Sequence, residues 1–408
     1  MKKVALALLL LVLLAATGCG RANGSDEDEQ IYNNEEATTM NDLNQANGPV
    51  DENGNENNEP AVEMARFEGY AHWATERLIE LYFHPTLRVF NNQHPFNEED
   101  PGGNNYWWKA HAVDSMIDAY ERTGNQYYMD MAQLAVRMNI AVHGGLLNTF
   151  IDDMQWFALA TLRIWDLTQE DEFLDYTRRL WVDIQSSWWH DEIGGFYWER
   201  SHKHARNACS NGPGSLLAAR MYQRFGDPAD LEWAKKSYFF VRDHLKCPDT
   251  GIIWDGLVVL EDGSLDINKD WVFTYNAGTF IGAAIELYRI TGDEQFLRDA
   301  EFTTTGSIDR FLNFSTGIFT EHGQGDGGLF RGILIRYWVE YYMETGDARI
   351  PQVINNNAEQ VRWRVAGTTG LFGPSWQSSF TLPLDLTPQL SGHFLFEAAA
   401  RIERMEGQ

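Results

Sequence analysis

Cysteine is scarce in this chain, with only Cys19, Cys209 and Cys247 among 408 residues. So few thiols exclude the disulfide framework that holds small secreted domains together. Cys209 and Cys247 could pair outside the cytoplasm or remain buried free thiols, because sequence separation does not set their distance in space. No Cys/His cluster has the spacing of a zinc site, and His202-x-His204 is weak evidence for a metal. We therefore predict no metal and no other cofactor.

Basic residues are also in short supply. The chain has 32 Lys and Arg against 59 Asp and Glu, a formal net charge of -27 at pH 7. An acidic protein of this kind repels nucleic acids and other polyanions, so these are excluded as ligands. A neutral ligand such as a glycan is compatible with the charge.

Only one long hydrophobic run occurs, where Met1-Lys2-Lys3 precedes the apolar segment 4–16. The segment is short for a membrane span and has the length and flanking charge of a secretory signal. It ends in Ala16-Thr-Gly-Cys19, which resembles a bacterial lipobox and implies cleavage before Cys19 and lipidation of its thiol. We expect a signal peptide at 1–18 and a lipid anchor at the extracellular face of the bacterial cell membrane. A secreted protein with a plain cleaved signal is the alternative.

Aromatic residues are nearly absent from 19–62, a segment rich in Asn, Asp, Glu and Gly. Such a composition cannot bury enough apolar surface to fold, so we predict a disordered acidic tether there. The rest of the chain is long enough to bury a large core, as one helical domain or two smaller ones. We predict one domain at 63–408.

A short turn pattern recurs in this domain. A helical segment ends in a tyrosine, three further residues, a Gly and then Asp or Asn. This pattern occurs at 120–125, 222–227, 288–293 and 342–347, with a glycine-free variant at 165–174. Glycine suits the left-handed residue that ends one helix, and Asp or Asn caps the next. Each turn therefore predicts an antiparallel helical hairpin.

Periodicity of 3.6 residues around these turns predicts twelve helices. Their predicted starts lie near Glu63, Tyr106, Asn125, Ile151, Asp171, Arg206, Pro228, Trp271, Glu294, Gly325, Ala348 and Gln389. Segments 151–167, 271–289 and 328–343 are apolar nearly all round, whereas 171–185 and 228–246 carry charge on one face. We therefore predict six hairpins in a closed double ring, with the even-numbered helices inside.

The loops that enter the even-numbered helices are long and rich in glycine and aromatic residues. They cover 94–105, 190–204, 249–270, 313–325 and 366–388. Long loops that converge on helix N-termini at one end of a ring predict a ligand cleft there.

Two adjacent aspartates, Asp152 and Asp153, open an unusually apolar stretch that runs to Leu159. An unpaired buried carboxylate raises its pKa or destabilises the fold, so charges are seldom placed in such surroundings without a function. The pair is a candidate acid and nucleophile. The alternative is a structural one, because Asp is common as a helix N-cap and on solvated turns.

Six segments, in this order on the helical frame, resemble glycoside hydrolase family 76, the α-1,6-mannanases, from about Glu63 to Glu406. They are Tyr106-Trp107-Trp108, Ile151-Asp152-Asp153-Met-Gln-Trp156, Gly194-Gly195-Phe-Tyr-Trp198, Arg206-Asn207-Ala-Cys-Ser-Asn211-Gly212-Pro213, Thr274-Tyr275-Asn276-Ala-Gly278 and Leu329-Phe330-Arg331-Gly332-Ile333. The resemblance implies an all-α fold, an (α/α)6 barrel, and a retaining mechanism on α-1,6-linked mannose. It also implies that Asp152 is the nucleophile and Asp153 the acid/base.

The chain departs from the family pattern at three positions. Ala277 stands where Gln is common, Arg206 where Lys is common, and Gly214 where an aromatic residue is frequent. These departures concern fine specificity more than the chemistry.

Sugar binding needs aromatic platforms for C–H faces and planar polar groups for hydroxyls. The predicted platforms are Trp107, Trp156, Trp198 and Tyr275, and the predicted hydrogen-bonding residues are Asn207, Asn211, Asn276 and Arg331. Each has a structural alternative, because a tryptophan in a helical protein often belongs to the core and Asn-Gly-Pro often forms a turn.

The predicted function is hydrolysis of α-1,6-mannosidic bonds in a mannan-type polysaccharide, endo-acting, by a monomer. A transglycosylase would use the same intermediate, and a glycan-binding lipoprotein would present mannan without cutting it. Another (α/α)6 enzyme, such as a sugar epimerase, would not require the adjacent acidic pair. The sequence leaves open endo or exo action, the source glycan and the oligomeric state.

Overall fold

A computed structural model describes residues 65–97 and 105–407 of the protein. Within these ranges lie twelve α-helices: α1 Arg66–Tyr82, α2 Tyr106–Thr123, α3 Gln126–His143, α4 Ile151–Thr168, α5 Asp171–Gln185, α6 Ala208–Phe225, α7 Pro228–Phe240, α8 Thr274–Thr291, α9 Glu294–Phe311, α10 Phe330–Thr345, α11 Arg349–Gln360 and α12 Leu386–Glu406. The predicted number of helices is confirmed. The predicted and observed first residues differ most at α10, by five residues. A 3-10 turn, Gly325–Gly328, lies where the first turn of that helix was predicted.

The recurring turns form as predicted. Gly124, Gly226, Gly292 and Gly346 each end a helix in the left-handed region, with φ between 68° and 69°. The glycine-free variant places Gln169 in the same region, at φ 59°. These turns reverse the chain, so each even-numbered helix is followed by an antiparallel neighbour.

The even-numbered helices form an inner ring. Each packs against the next one, from α2 through α4, α6, α8 and α10 to α12, and α12 packs against α2 to close the ring. The odd-numbered helices pack outside. The sixth pair joins the two ends of the domain, because α12 packs against α1 rather than against a sequential partner. The fold is an (α/α)6 barrel.

Burial follows the predicted division between the rings. In α8 every residue from Thr274 to Leu287 is buried. In the outer helix α5 only one face is buried, including Phe173, Leu180 and Ile184. An inner helix is enclosed by two inner neighbours and an outer one, which explains why its sequence is apolar nearly all round.

Short strands that the sequence did not predict lie between several of the helices, and one of them, at 205–207, includes the predicted helix start at Arg206. The strands are β1 Phe83–His84, β2 Val89–Phe90, β3 Gln93–His94, β4 Ala205–Asn207, β5 Gly256–Val259, β6 Leu265–Ile267 and β7 Leu384–Asp385. Strands β4, β5 and β6 form an antiparallel sheet in which Arg206 pairs with Leu257 and Leu257 with Ile267. This sheet lies directly before α6 and stiffens the loops at that end of the barrel.

The signal peptide predicted at 1–18, the tether at 19–62 and the lipidation site at Cys19 lie outside the described residues, so they stay predictions. In the part that is described, no helix has both the length and the apolar character that a membrane crossing requires. Cys209 is a buried free thiol and Cys247 a half-buried one.

Candidate active site

The adjacent aspartates lie in the first turn of α4, at the end of the ring where the long loops converge. The N-cap position of this helix is Phe150, so neither Asp152 nor Asp153 has the capping role that aspartate often takes. A hydrogen bond to the facing loop fixes the first residue of α4, because the backbone N–H of Ile151 donates to the carbonyl oxygen of Trp198 at 3.0 Å. Both carboxyl groups therefore stand at the positive end of an inner-helix dipole.

Asp152 is a carboxyl group whose pKa lies near neutrality. Burial raises its pKa to about 7 and repulsion from Asp326 adds to the rise, while hydrogen bonds from the Cys209 thiol and the backbone oppose it. Its Oδ1 atom is buried and has no hydrogen-bond partner among the described residues. A carboxylate oxygen without donors keeps its lone pairs available for nucleophilic attack.

The pKa of Asp153 is shifted in the same direction. Burial raises its pKa well above the ordinary value, the neighbouring Asp152 raises it further, and Asp326 contributes in the same direction. The Asn148 side chain donates to Asp153 Oδ2 at 2.6 Å, which opposes the rise. Two close carboxyl groups cannot both ionise freely, so the pair holds one proton over a range of pH in which an isolated aspartate would be ionised.

Asp326 is a third carboxyl group at this site, and the sequence analysis missed it. It lies in the 3-10 turn before α10, and its Oδ1 atom accepts from the indole N–H groups of Trp107 at 3.0 Å and Trp108 at 2.8 Å. Burial raises its pKa as well. The available signal was an aspartate flanked by glycines, Gly325-Asp326-Gly327, directly before an inner helix.

Asp255 organises the hydrogen-bonding residues that the sequence predicted on α6 and α8. Its Oδ2 accepts from Asn207 at 3.0 Å, and its Oδ1 accepts from the Tyr275 hydroxyl at 3.1 Å and from Asn276 at 3.0 Å. Burial raises the pKa of Asp255, and these three hydrogen bonds oppose the rise. The structure therefore brings Asn207, Tyr275 and Asn276 together around a carboxyl group that no sequence motif indicated.

An aromatic row crosses the same end of the barrel. The rings of Tyr275 and Phe330 stack with centroids 4.0 Å apart, and Trp107 stacks beyond Phe330 at 6.3 Å. Trp198, half-buried, contacts Phe150 beside the aspartate pair, with centroids 5.2 Å apart. Trp107, Trp198 and Tyr275 thus surround the entrance to α4.

Five of the predicted binding residues are buried, namely Trp156, Asn211, Tyr275, Asn276 and Arg331. Trp156 keeps only 3% exposure and contacts the buried His111, with ring centroids 4.7 Å apart. Asn211 is fully buried and exchanges hydrogen bonds with the backbone of Phe196 at 2.8 and 3.0 Å.

Arg331 is also fully buried. Its guanidinium donates to the backbone carbonyls of Glu321 and Pro374 at 2.8 Å and of Gly373 at 3.1 Å. It also lies over the ring of Trp376, at 4.3 Å from the centroid. These contacts join the two loops that precede α10 and α12, so the side chain holds the wall of the cleft.

No cluster of His, Cys, Asp and Glu suited to a metal ion occurs among the residues at 65–97 and 105–407. The site described above is built from carboxyl groups, amides and aromatic rings. An (α/α)6 barrel with a desolvated carboxyl pair and an aromatic-lined mouth defines a glycoside hydrolase. The family model for glycosyl hydrolase family 76 matches residues 70–399, so the chain belongs to that family.

Similar proteins of known structure share the whole barrel. The α-1,6-mannanase GH76A of Salegentibacter sp. HEL1_6 is 34% identical, covers 83% of this chain and 100% of its own, and superposes with a TM-score of 0.77. The same enzyme has been crystallised as an inactive double aspartate variant with α-1,6-mannotetrose. A family 76 mannosidase from Bacteroides thetaiotaomicron shares the fold at 19% identity, with a TM-score of 0.74 over 84% of this chain and 100% of its own.

The curated relatives are fungal and more distant. A mannan endo-1,6-alpha-mannosidase of Candida glabrata is 24% identical over 217 residues, which is 46% of each chain. The Saccharomyces cerevisiae protein of the same name is 24% identical over 230 residues, 50% of this chain and 49% of its own. The chain spans about half the length of the curated relatives that it matches.

Proposed function

We propose that this chain is a retaining endo-α-1,6-mannanase that uses Asp152 as nucleophile and Asp153 as acid/base. One observation carries the proposal: two adjacent, buried carboxyl groups with raised pKa values stand at the mouth of a family 76 barrel. A double-displacement mechanism needs one ionised and one protonated carboxyl group at the same time.

The proposed reaction has two steps. Asp152 attacks the anomeric carbon while Asp153 gives its proton to the leaving glycosidic oxygen, so that a glycosyl ester forms on Asp152. Asp153, now ionised, takes a proton from water, which displaces Asp152 and restores the starting configuration. Neighbouring Cα atoms are about 3.8 Å apart, so adjacent aspartates can reach the roughly 5 to 5.5 Å between carboxyl groups that retaining enzymes use.

The proposed substrate is a neutral α-1,6-linked mannan. The carboxyl groups near the pair would repel an anionic polymer, whereas the aromatic row of Trp107, Phe330 and Tyr275 suits pyranose faces. The names of the similar mannanases support α-1,6-mannose as the sugar. Trp198 and Asn207 are the further residues that we propose to contact it, whereas Asn276 is fully buried against Asp255 and positions that carboxyl group.

The remaining predicted residues take positioning roles in this proposal. Trp156 lies under the floor of the site, and Asn211 and Arg331 hold loops through backbone carbonyls. All three side chains are buried, so we propose that they shape the cleft without touching the sugar.

We further propose that the protein acts as a monomer on the extracellular face of a bacterial membrane, anchored through lipidated Cys19. The lipobox-like segment and the acidic segment 19–62 support this. Labelling with a radioactive fatty acid tests the anchor: label in the native chain and none in Cys19→Ser supports it, and equal label in both contradicts it.

Product analysis on linear α-1,6-mannan tests the activity. An endo-hydrolase releases a spread of oligosaccharides with new reducing ends, and an exo-enzyme releases one small product. Longer products in the presence of an acceptor sugar would favour a transglycosylase, since a sugar can replace water at the second step. Saturable binding without any product would contradict the enzymatic proposal.

A further inference from the structure

A second cavity lies outside the catalytic site, between the segment Trp188–Gly195 and the outer helix α7. Its volume is about 400 Å³, within the range of about 300 to 1,000 Å³ for small-molecule pockets. Trp188, Phe239 and Phe240 supply its apolar surface. None of these residues belongs to the catalytic site described above.

The backbone has an unusual conformation on both sides of this cavity. On the loop side, Gly194 and Gly195 have φ values of 70° and 96°, and an added Cβ would lie 2.8 Å from a Trp188 ring carbon and 2.7 Å from a Phe240 ring carbon. On the helix side, α7 continues into a π-helical turn, Val241–Leu245, a form that often marks functional sites.

The loop is held rigidly by a buried cation. Arg206 is fully buried, forms an ion pair with Asp191 and donates to the Gly194 carbonyl at 2.7 Å. Asp191 Oδ1 also accepts from the backbone N–H groups of Ile193 and Gly194 at 3.0 and 2.9 Å. This wall therefore stays in place without a ligand, which lowers the ordering cost of binding.

The polar groups of the cavity match a neutral, hydroxyl-rich ligand. Glu192 and Asp243 are exposed acceptors, and His244 supplies an imidazole. Lys236 places its ammonium over Trp233 at 2.8 Å and Trp188 at 4.4 Å from the ring centroids, and within the described chain no carboxylate forms an ion pair with it.

The charges of the cavity also balance. The carboxylates of Asp191 and Asp243 are paired with Arg206 and with Arg242, respectively, which leaves Glu192 and Lys236 as two lining groups of opposite charge without an ion pair in the described chain. An anion would meet Glu192, and a cation would meet Lys236. A pyranose offers donors and acceptors without charge and an apolar face for Trp188.

The cavity shares a segment of chain with the catalytic mouth. Trp188 and residues 191–194 line the cavity, and the same loop continues through Trp198, beside the aspartate pair, to Asn207 at the start of α6. From this arrangement we infer that the cavity is a second, non-catalytic sugar-binding site that holds a mannan chain outside the cleft. The inference rests on the proposed function for the identity of the polymer.

A double variant tests this site. Glu192→Ala with Lys236→Met removes one acceptor and the ammonium while it keeps the apolar stem of Lys236. The matched control, Glu232→Ala with Lys235→Met, changes the same residue types on α7 outside the cavity. Circular dichroism and melting curves of both proteins confirm that each is folded.

Two measurements are made on each protein: retardation in gels that contain linear α-1,6-mannan, and kcat/KM on α-1,6-mannotetraose. We expect the cavity variant to lose affinity for the polymer by about fivefold or more, as for two lost hydrogen bonds, with unchanged kcat/KM on the tetrasaccharide. The control should match wild type in both.

Unchanged retardation of the cavity variant would overturn the inference. A parallel fall in retardation and in tetrasaccharide turnover would also overturn it, because the effect would then pass through the catalytic cleft. Absence of tetrasaccharide hydrolysis by the wild-type protein would contradict the proposed function instead. The gel measurement would still report on the cavity in that case.

Discussion

Buried carboxyl groups lie at both ends of the barrel axis, but their neighbours differ in charge. At the far end, a cavity of about 440 Å³ is lined by arginines and carboxylates from the C-terminal halves of the inner helices. There Arg163 donates to Asp114 at 2.5 Å, to Asp118 at 2.7 Å and to Glu121 at 2.6 Å. At the catalytic end, Asp152 faces Asp326 and Asp153 instead of an arginine.

The difference appears in the pKa values. Burial would raise the pKa of Asp118, but Arg336 and Arg163 outweigh it and hold the pKa below its ordinary value. Burial raises the pKa of Asp152, and neighbouring negative charge adds to the rise. Arginines therefore keep Asp118 ionised between neighbouring helices, although burial raises the pKa of Glu397 in the same cavity to about 7 despite its ion pair with Arg122. At the catalytic end no arginine offsets the burial of Asp152, and there we propose chemistry.

The largest effect is expected from removing the desolvated pair. Asp152→Asn should reduce kcat on linear α-1,6-mannan by roughly 10⁴-fold or more, because the nucleophile is lost. Asp153→Asn should reduce it by about 10² to 10⁴-fold, as for loss of a general acid. Initial rates of reducing-end release measure both, and near wild-type turnover would remove that residue from the mechanism.

Asp166→Asn is the matched control for these two variants. Asp166 is in the last turn of the same helix, α4, where it forms an ion pair with Arg224. We expect its kcat to stay within about twofold of wild type, because it does not reach the reacting atoms. If Asp166→Asn reduced kcat as much as Asp152→Asn does, the catalytic role would not be confined to the carboxyl groups at the loop end of the barrel.

At the far end of the barrel, removing a buried arginine should lower the free energy of unfolding by a large amount. It should not change how kcat/KM depends on pH. Arg163→Met leaves several carboxylates without their main partner, which should lower the free energy of unfolding by about 3 kcal/mol. Urea denaturation measures this change. Arg179→Met, which breaks an exposed pair with Asp175, is the control and should stay within about 0.5 kcal/mol of wild type. Equal losses would contradict the structural role of the buried network.

A smaller effect is expected from Asp326. Asp326→Asn keeps an acceptor for the indoles of Trp107 and Trp108 but removes the charge that raises the pKa values of Asp152 and Asp153. Both limbs of the kcat/KM profile against pH should therefore move to lower pH. A shift of one unit in the pKa of the acid would reduce activity above neutral pH by about tenfold.

Asp326→Ala separates charge from positioning. It removes the indole acceptor as well, so it should lose more activity than Asp326→Asn with a similar displacement of the profile. An unchanged profile in both variants would show that Asp326 does not influence the pair.

The smallest effect is expected on the melting temperature of the catalytic variants. A carboxyl group whose pKa is raised on folding destabilises the fold as pH rises from its unfolded pKa, near 4, to its folded pKa. The double variant Asp152→Asn and Asp153→Asn should therefore melt roughly 2 to 5 °C above wild type at pH 8, and the gain should shrink at pH 4. Scanning calorimetry at the two pH values measures it, and a gain that grows at pH 4 would contradict the raised pKa values.

The sequence predicted the helical frame almost completely. Gly124 and Asn125, like the other Gly–Asp turns, carry a local signal that needs no tertiary contact. The short strands were missed, because β4 pairs with β5 across about 50 residues of chain and no local pattern encodes that pairing. The packing of α12 against α1, which closes the ring, is likewise a long-range contact.

At the site, the sequence located the aspartate pair but not its surroundings. Asp152 and Asp153 stand out because they interrupt an apolar run. Asp326 lies in a polar, glycine-rich loop, where an aspartate carries no signal until folding buries it beside the indoles. Asp255 interrupts the apolar run 252–259, so it carried the same kind of signal as the pair, but its contacts with α8 arise only on folding. The burial of Arg331 was equally hidden, because its partners are backbone carbonyls of distant loops.

The most direct test of the mechanism is the configuration of the first product. Hydrolysis of α-1,6-mannotetraose is followed by ¹H NMR at early times, before mutarotation mixes the anomers. If Asp152 forms a covalent intermediate and Asp153 serves as acid and then as base, the new reducing end appears first as the α-anomer. Initial appearance of the β-anomer would mean a single displacement by water and would contradict the roles assigned to the pair.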